Sequence, residues 1–213
     1  MNFVRKVYSI LGFQLLLTAG AVIIPLTNTN AYQWMRENIG LIIVAFVGEI
    51  LSSIALICCR RLARSVPTNY ILLGIFTVCE AYIVAFIAAR FDPQIVMVAA
   101  FATAGMTIGI TVYAFTTKSD FTIFGPILFV VGFTLAFASI FFFMFAGRAM
   151  HIVWCIIAVI LFSFYLLFDT QLIMGGKRYE VEIDDYILGA VILYTDIITI
   201  FIYLLQIFGG NNN

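Results

Sequence analysis

The sequence predicts an all-α membrane protein with seven transmembrane helices. Of its 213 residues, 64% are hydrophobic and only 10% are charged, and the mean hydropathy is +1.13. Apolar runs extend from end to end, which leaves too little polar surface for a soluble protein of this size. The formal net charge is zero, so no broad basic face is available for nucleic acid. The expected surrounding is therefore the lipid bilayer.

Each apolar run is long enough to cross a membrane. At about 1.5 Å of rise per residue, roughly 20 helical residues cross a hydrocarbon core of about 30 Å. Short links make consecutive helices antiparallel neighbours. All seven belong to one transmembrane domain, residues 1–213. The predicted spans are residues 7–26, 39–59, 70–89, 94–116, 121–146, 151–174 and 186–208.

The individual spans are bounded by residues typical of turns. Arg5 and Lys6 precede the first apolar run, an arrangement that also occurs in secretory signal peptides. The run continues through residues 22–24, so we predict a transmembrane helix that is not cleaved off. In the fourth span, Gly105 and Gly109 predict close helix packing. The segments that separate the spans contain Pro25 and residues 27–30, residues 67–69, Asp92 and Pro93, residues 118–120, and Gly175 and Gly176.

The distribution of Lys and Arg predicts a cytosolic N-terminus. Basic residues concentrate on the cytosolic side of a membrane protein. Seven crossings then place the C-terminal tail on the far side, whereas a re-entrant seventh segment would return it to the cytosol. The side that holds the N-terminus has eight basic residues, Arg5, Lys6, Arg60, Arg61, Arg64, Lys118, Lys177 and Arg178, and the opposite side has three, Arg36, Arg90 and Arg148.

Two aspartates lie inside predicted spans. A carboxylate at bilayer depth costs a few kcal/mol, so it normally faces a protein interior and marks an ion or proton path. Asp169 lies near the cytosolic end of the sixth span, and Asp196 lies about three turns into the seventh, which starts from the same side. We expect the two carboxylates to approach each other. A packing role is the alternative, although facing carboxylates suit it poorly.

Glu49 and Glu80 are the other acidic residues inside spans, and both are candidates for an ion path. Glu49 and Arg60 are eleven residues apart, about three helical turns, so we predict that they share a face. Arg60 then lies at the cytosolic mouth as a candidate partner of Asp169. Glu80 lines the far half of the path or, alternatively, is a protonated residue bonded to a neighbouring Thr or Tyr.

Two close carboxylates in a low-dielectric site repel, so one of them tends to hold a proton. A calcium ion can replace that proton. Calcium takes about six to eight oxygen ligands, and two aspartates supply at most four, so Asp169 and Asp196 predict a weak, proton-competed calcium site. Weak binding suits conduction, because a permeating ion must also leave.

The remaining candidate ligands predict structural roles. The four cysteines lie in or beside apolar runs and are interpreted as small packing residues. The single histidine, His151, is assigned no role. Lys177 and Arg178 with the acidic residues of 180–185 are interpreted as a solvated loop, and the alternative is that the acidic run concentrates cations at the cytosolic mouth.

The C-terminal part contains a specific motif. Residues 168–177, Phe-Asp-Thr-Gln-Leu-Ile-Met-Gly-Gly-Lys, are followed by residues 185–190, Asp-Tyr-Ile-Leu-Gly-Ala, and residues 194–198, Tyr-Thr-Asp-Ile-Ile. This pattern closely resembles the signature of the Bax-inhibitor-motif family in its Lifeguard branch. Residues 3–11 resemble the first-helix entry of that branch, so the resemblance spans almost the whole chain.

The resemblance implies a fold and a function. It implies a central last helix surrounded by the other six, and a slow calcium leak gated by pH. On that pattern Asp169 and Asp196 are the sensor pair, and Arg60 is the latch that pairs with Asp169 in the closed pore. It also implies Golgi or endoplasmic reticulum membranes, and suppression of cell death through lowered store calcium. Calcium is the permeant ion, and no cofactor is expected.

Other classes remain open. Two intramembrane aspartates also occur in the intramembrane aspartyl proteases, where they activate water, but the Gly-x-Gly-Asp and Pro-Ala-Leu patterns of those enzymes are absent here. We therefore expect no enzyme. A receptor would need an outside N-terminus, and a retinal protein a lysine in its last helix. A third possibility is a non-conducting scaffold that binds cell-death regulatory proteins.

Overall fold

The computed structural model describes residues 2–145, 147–176 and 181–210. Within these ranges the chain is helical and contains no strand. Seven of the described helices are long and apolar enough to cross a membrane, which confirms the prediction of an all-α membrane protein with seven transmembrane helices. The α-helices are α1 (Asn2–Thr27), α2 (Thr29–Glu37), α3 (Ile39–Cys58), α4 (Arg60–Arg64), α5 (Thr68–Ala88), α6 (Pro93–Thr116), α7 (Gly125–Phe145), α8 (Arg148–Met174) and α9 (Tyr186–Gly209).

The first link contains a helix that the sequence pattern does not predict. α1 continues through Pro25, and α2 follows after a single residue, Asn28. The Asn28 side chain accepts hydrogen bonds from the backbone N–H groups of Asn30 at 3.0 Å and Ala31 at 3.4 Å. These bonds satisfy donors at the start of α2 that have no partner within the helix. The link is therefore a capped helix and not an open turn.

One compact unit comprises the described residues of Met1–Pro93 and Glu182–Tyr194. In it, α1 and α3 both pack against α5. The interior is partly polar. The Gln14 amide donates to the Thr77 hydroxyl at 2.9 Å, and the Thr18 and Tyr194 hydroxyls share a hydrogen bond of 2.7 Å. The Tyr194 ring also meets Phe76 edge to face, with ring centroids 5.9 Å apart, so the start of α9 is fixed by both polar and aromatic contacts.

The second compact unit comprises the described residues of Gln94–Val181 and Thr195–Asn213. Here α7 packs against α8. The Tyr165 hydroxyl donates to the Leu128 carbonyl at 2.6 Å. It also lies over Gly132, where a Cβ atom would come within 2.2 Å of the Tyr165 oxygen. Gly132 therefore provides the space that Tyr165 occupies between the two helices.

Two predictions about helix packing have different outcomes. A Cβ atom built at Gly105 or Gly109 meets no described atom within 4 Å, so the predicted close packing at this pair is wrong. α9 is the most buried span of the described chain, with 67% of its apolar stretch buried. Its residues contribute to both units. The arrangement of six helices around α9 stays a prediction, as does the assignment of residues 1–213 to one domain.

Candidate functional site

Asp169 and Asp196 lie together in the second unit. Asp169 is on the last part of α8 and is 7% exposed, and Asp196 is on α9 and is 5% exposed. Their carboxyl groups share a hydrogen bond. Oδ2 of Asp196 is buried and accepts no hydrogen bond from an N–H or hydroxyl group of the described residues. The structure thus brings together the two aspartates that the sequence singles out.

The contact between these carboxyls requires a proton. An ionised carboxylate only accepts hydrogen bonds, so a bond between two carboxyls needs a proton on one of them. Tyr165, one turn before Asp169, interacts electrostatically with both aspartates. Its hydroxyl hydrogen is directed to the Leu128 carbonyl instead. The donor in the hydrogen bond between Asp169 and Asp196 is therefore one of the two carboxyls themselves, in its protonated form.

The end of α8 that carries Asp169 is fixed by Gln171. This side chain is fully buried. Its amide donates to the Ser119 carbonyl at 3.0 Å, and its oxygen accepts from the Phe121 N–H at 2.8 Å. Gln171 therefore ties α8 to the link between α6 and α7. Gln171 is not among the residues predicted for the site, although a glutamine in the apolar end of a helix is the signal that could have identified it.

α8 ends directly after this anchor. Gly175 has a φ of 69°, a left-handed conformation that glycine adopts without steric cost. Its N–H donates to the Gln171 carbonyl at 3.2 Å, as is usual at helix C-termini. Lys177 and Arg178, which contribute to the predicted orientation, and Glu180, which belongs to the predicted acidic loop, lie outside the described residues.

Arg60 and Arg64 contact the acidic turn that precedes α9. The Arg60 guanidinium lies 3.5 Å from Glu182, and both side chains are well exposed, at 74% and 59%. Arg64 also contacts Glu182, and it binds both oxygens of Asp185, at 2.7 Å from Nε and 2.8 Å from Nη2. The pairing of Arg60 with Asp169 stays a prediction.

The acidic turn is more structured than a solvated loop. Asp185 is 7% exposed, so the prediction of a solvated loop is wrong at this residue. The hydrogen bonds from Arg64 hold the pKa of Asp185 below its usual value, although burial acts in the opposite direction. The same bonds raise the pKa of Arg64. Sequence reasoning missed this pair because the pattern gives no partner for a carboxylate in an acidic run.

Glu49 and Glu80 lie in the first unit, on α3 and α5. Both are half-buried, and each is close enough to act electrostatically on Cys79 and Tyr194. The unbroken helix on which the predicted common face of Glu49 and Arg60 depends is not present. α3 ends at Cys58, and Cys59, with φ −105° and ψ 74°, leaves the helical conformation. The helical spacing therefore does not continue to Arg60.

A resident metal ion is not indicated at the acidic residues. Among residues 2–145, 147–176 and 181–210, no group of three or more His, Cys, Asp or Glu side chains is arranged to hold one. The Asp169 and Asp196 pair offers at most four oxygens, fewer than the roughly six to eight that calcium takes. Weak calcium binding at this pair stays a prediction.

Comparisons with known proteins agree along the whole chain. A family model described as "Inhibitor of apoptosis-promoting Bax1" matches residues 1–213. Protein lifeguard 3 of Homo sapiens is 32% identical over 218 residues, which cover 99% of this chain and 69% of that protein. The Mus musculus protein of the same name is 31% identical, with coverages of 99% and 70%. Protein LIFEGUARD 4 of Arabidopsis thaliana is 36% identical over 215 residues, with coverages of 97% and 84%. The chain belongs to the Bax-inhibitor family in its Lifeguard branch, a family of multi-pass membrane proteins implicated in the inhibition of apoptosis and not known as enzymes.

Proposed function

We propose that this protein is a pH-sensitive calcium leak channel of an internal membrane, and that it inhibits apoptosis by lowering stored calcium. Asp169 and Asp196 form the gate, and Arg60 is the latch. The observation that carries the proposal is the buried hydrogen bond between the two carboxyl groups. A proton joins α8 to α9 at this point, so a change in proton concentration changes the contact between two membrane-spanning helices.

Calcium competes with that proton. When both carboxyls ionise in a low-dielectric site they repel each other, and a divalent cation relieves the repulsion. Carbonyl oxygens and water must complete the calcium shell, because the two aspartates supply at most four oxygens. The ion is therefore held weakly and can move on, as conduction requires. Oδ2 of Asp196 accepts no hydrogen bond from an N–H or hydroxyl group of the described residues, so ionisation of the pair leaves it as a ligand for such an ion.

The positive charge of Arg60 keeps the pore closed in this mechanism. In the closed pore it pairs with ionised Asp169, and protonation of Asp169 releases it. Glu182 is the alternative partner, because Arg60 lies 3.5 Å from it in an exposed ion pair. Exposed pairs contribute only about 0 to 1 kcal/mol, so the contact with Glu182 does little to hold Arg60 away from Asp169. On this mechanism a more acidic cytosol opens the pore.

Glu49 and Glu80 extend the ion path in the first unit. Both are half-buried acidic side chains on membrane-spanning helices, and they interact electrostatically with each other. Acidic side chains inside spans are costly unless they serve an ion or proton path. The Thr18 and Tyr194 hydroxyls, which share a hydrogen bond of 2.7 Å, provide further polar groups in the same unit.

The setting of the proposed channel is a Golgi or endoplasmic reticulum membrane with the N-terminus in the cytosol. The excess of basic residues on the N-terminal side supports this orientation. The chemistry uses protons and calcium as its ligands and needs no cofactor and no catalytic residue. Cell-death regulatory proteins are the partners that its family suggests.

The test is calcium flux into proteoliposomes of the purified chain across a pH series. We expect flux to rise as the pH falls. Asp169→Asn removes the charge that Arg60 binds, so flux becomes high and independent of pH, and Asp196→Asn shifts or abolishes the response. The control is Asp184→Asn, because Asp184 is an exposed aspartate in the turn that precedes α9. We expect this variant to keep the wild-type pH response.

Other outcomes identify the other classes. An unchanged pH response in both aspartate variants would exclude the gate. If the protein passes no calcium at any pH but retains a cell-death regulator in detergent, it is a scaffold. Cleavage of a transmembrane peptide that is lost in either aspartate variant would indicate an aspartyl protease.

A further inference from the structure

A polar cleft opens at one end of the first unit, between α2, the start of α3 and the end of α5. Its volume is about 850 Å³, which lies within the range of roughly 300 to 1,000 Å³ that small-ligand sites occupy. None of its lining residues has a part in the proposed channel. Among the residues that line it are Tyr32, Arg36, Glu37, Ile39, Phe86 and Arg90.

The cleft lies at the depth of the lipid headgroups. Ile39 is the first residue of one membrane-spanning helix, and Ala88 is the last residue of another. Arg36 shortly precedes the first of these spans, and Arg90 shortly follows the second. Trp34, which is 53% exposed on α2, is a residue type enriched at this level of a membrane. Both arginines therefore lie just outside the apolar stretches, where a bilayer presents its phosphate groups.

Each arginine is held over an aromatic ring. Arg90 Cζ lies 4.7 Å from the centroid of the Phe86 ring, and Arg36 Cζ lies 5.8 Å from the centroid of the Tyr32 ring. Both distances are within the limit of about 6 Å for attraction between a cation and a ring. Phe86 is only 6% exposed, so its ring is a fixed platform. Part of the side-chain entropy that ligand binding costs is thus already lost in the folded protein.

The N–H groups of these two arginines are available to a ligand. A guanidinium carries its donors in a planar fork, and attraction to a ring uses the charge and not a hydrogen-bond acceptor. Across residues 2–145, 147–176 and 181–210, neither Arg36 nor Arg90 forms an ion pair or a side-chain hydrogen bond. Arg64, by comparison, has its donors on Asp185 and Glu182. The cleft therefore contains two positioned guanidinium groups without a carboxylate partner among the described residues.

The charge of the cleft favours an anion. Arg36 and Arg90 are positive and Glu37 is negative, so the three side chains together carry one net positive charge. A phosphate group accepts paired, charge-assisted hydrogen bonds from the fork of an arginine. We propose that Arg36 and Arg90 bind a phosphate group in this cleft. The depth of the site makes the headgroup of an anionic lipid one source of that group, and soluble phosphate is the other.

Native mass spectrometry tests the lipid source. The full chain is purified in micelles that contain phosphatidylglycerol and phosphatidylcholine, which share a phosphodiester but differ in net charge. We expect wild type to retain phosphatidylglycerol in preference. Arg36→Gln combined with Arg90→Gln raises the dissociation constant about tenfold or more, because hydrogen bonds from charged donors are lost. The matched control is Arg5→Gln combined with Arg61→Gln, which removes the same charge from exposed positions elsewhere and leaves the affinity unchanged.

Inorganic phosphate tests the soluble source. It is titrated by calorimetry into the same proteins in a detergent without phospholipid. Phosphate binding that is lost in the Arg36 and Arg90 double variant, and retained in the control, supports the site. If this is found without a preference for phosphatidylglycerol, the source is soluble phosphate. If only the lipid binds, the source is the headgroup.

A gain of affinity separates binding from folding. Glu37→Gln removes the negative charge from the cleft, so whichever probe binds wild type binds this variant severalfold more tightly. Tyr32→Leu removes a ring that holds Arg36 and weakens binding, whereas Tyr32→Phe keeps the ring and the affinity. The proposal is overturned if neither probe binds, if binding is no weaker in the Arg36 and Arg90 double variant than in its control, or if Glu37→Gln fails to tighten binding while its helical circular dichroism is unchanged.

Discussion

Arg64 binds Asp185 through two parallel hydrogen bonds, from Nε to Oδ1 at 2.7 Å and from Nη2 to Oδ2 at 2.8 Å. This fork geometry matches the planar guanidinium to the planar carboxylate, and lysine cannot reproduce it. Asp185 directly precedes α9. The pair therefore fixes the point at which the last membrane helix begins.

Stability at acidic pH follows from this pair. The folded-state pKa of Asp185 is lowered by Arg64, so its contribution is complete above the pKa of the unfolded chain, about 3.9, and is lost as the pH falls through the folded value. We expect Asp185→Asn to lower the unfolding temperature near neutral pH by a few degrees and to flatten the loss of stability on acidification. Thermal unfolding in detergent at several pH values measures this, with Asp184→Asn as the control. The prediction would be contradicted if the unfolding temperature of Asp185→Asn fell with acidification as steeply as that of the wild type.

Gln171 provides a second prediction. Gln171→Leu leaves the Ser119 carbonyl and the Phe121 N–H without their buried partner, and each unpaired buried group costs about 1 to 3 kcal/mol. We expect a loss of that order in the free energy of unfolding. Gln171→Glu retains the acceptor for Phe121 but loses the donor to Ser119. It also places a carboxyl group in a fully buried site, which is itself costly, so a loss of stability is expected in this variant as well. Equal stability of both variants and wild type would exclude the anchor.

Gly132 gives a prediction about the surroundings of Asp169. Gly132→Ala places a methyl group within 2.2 Å of the Tyr165 oxygen, so Tyr165 must leave the Leu128 carbonyl. Overpacking of this kind costs about 1 to 3 kcal/mol. Gly105→Ala is the matched control, because a Cβ atom there meets nothing within 4 Å. We expect only Gly132→Ala to lower stability and to alter the pH response of calcium flux. Equal behaviour of the two variants would mean that Tyr165 is not held by this contact.

Arg60 gives a prediction about basal flux. Arg60→Ala removes the proposed latch, so calcium flux at alkaline pH should increase toward the acidic value, while stability changes little because the Glu182 pair is exposed. Arg61→Ala is the control, since Arg61 is an exposed neighbour on the same short helix. Flux measured in proteoliposomes checks both variants. A lower flux in Arg60→Ala would argue against a latch.

Hydropathy alone predicts the seven spans and the approach of Asp169 to Asp196, because both depend on the length and direction of apolar runs. Other features depend on contacts between distant segments. The break at Cys59 falls at the last residue of the apolar run, where no glycine or proline marks it, so helical spacing counted from Glu49 to Arg60 crosses a break that the sequence does not show. Asp185 lies in an acidic run that is typical of solvated loops, and its burial requires a partner, Arg64, from elsewhere in the chain. The role of Gln171 depends on backbone groups of a link, which no side-chain pattern records.

The one-residue break at Cys59 has a consequence for how the protein fits bilayers of different thickness. A membrane helix adjusts to thickness by tilting. If α3 continued rigidly to Arg64, every change in its tilt would move both arginines away from the acidic turn. Because Cys59 is not helical, α3 can tilt without forcing the same rotation on α4. The contacts of Arg60 and Arg64 with Glu182 and Asp185 then do not have to change when the membrane thickness changes.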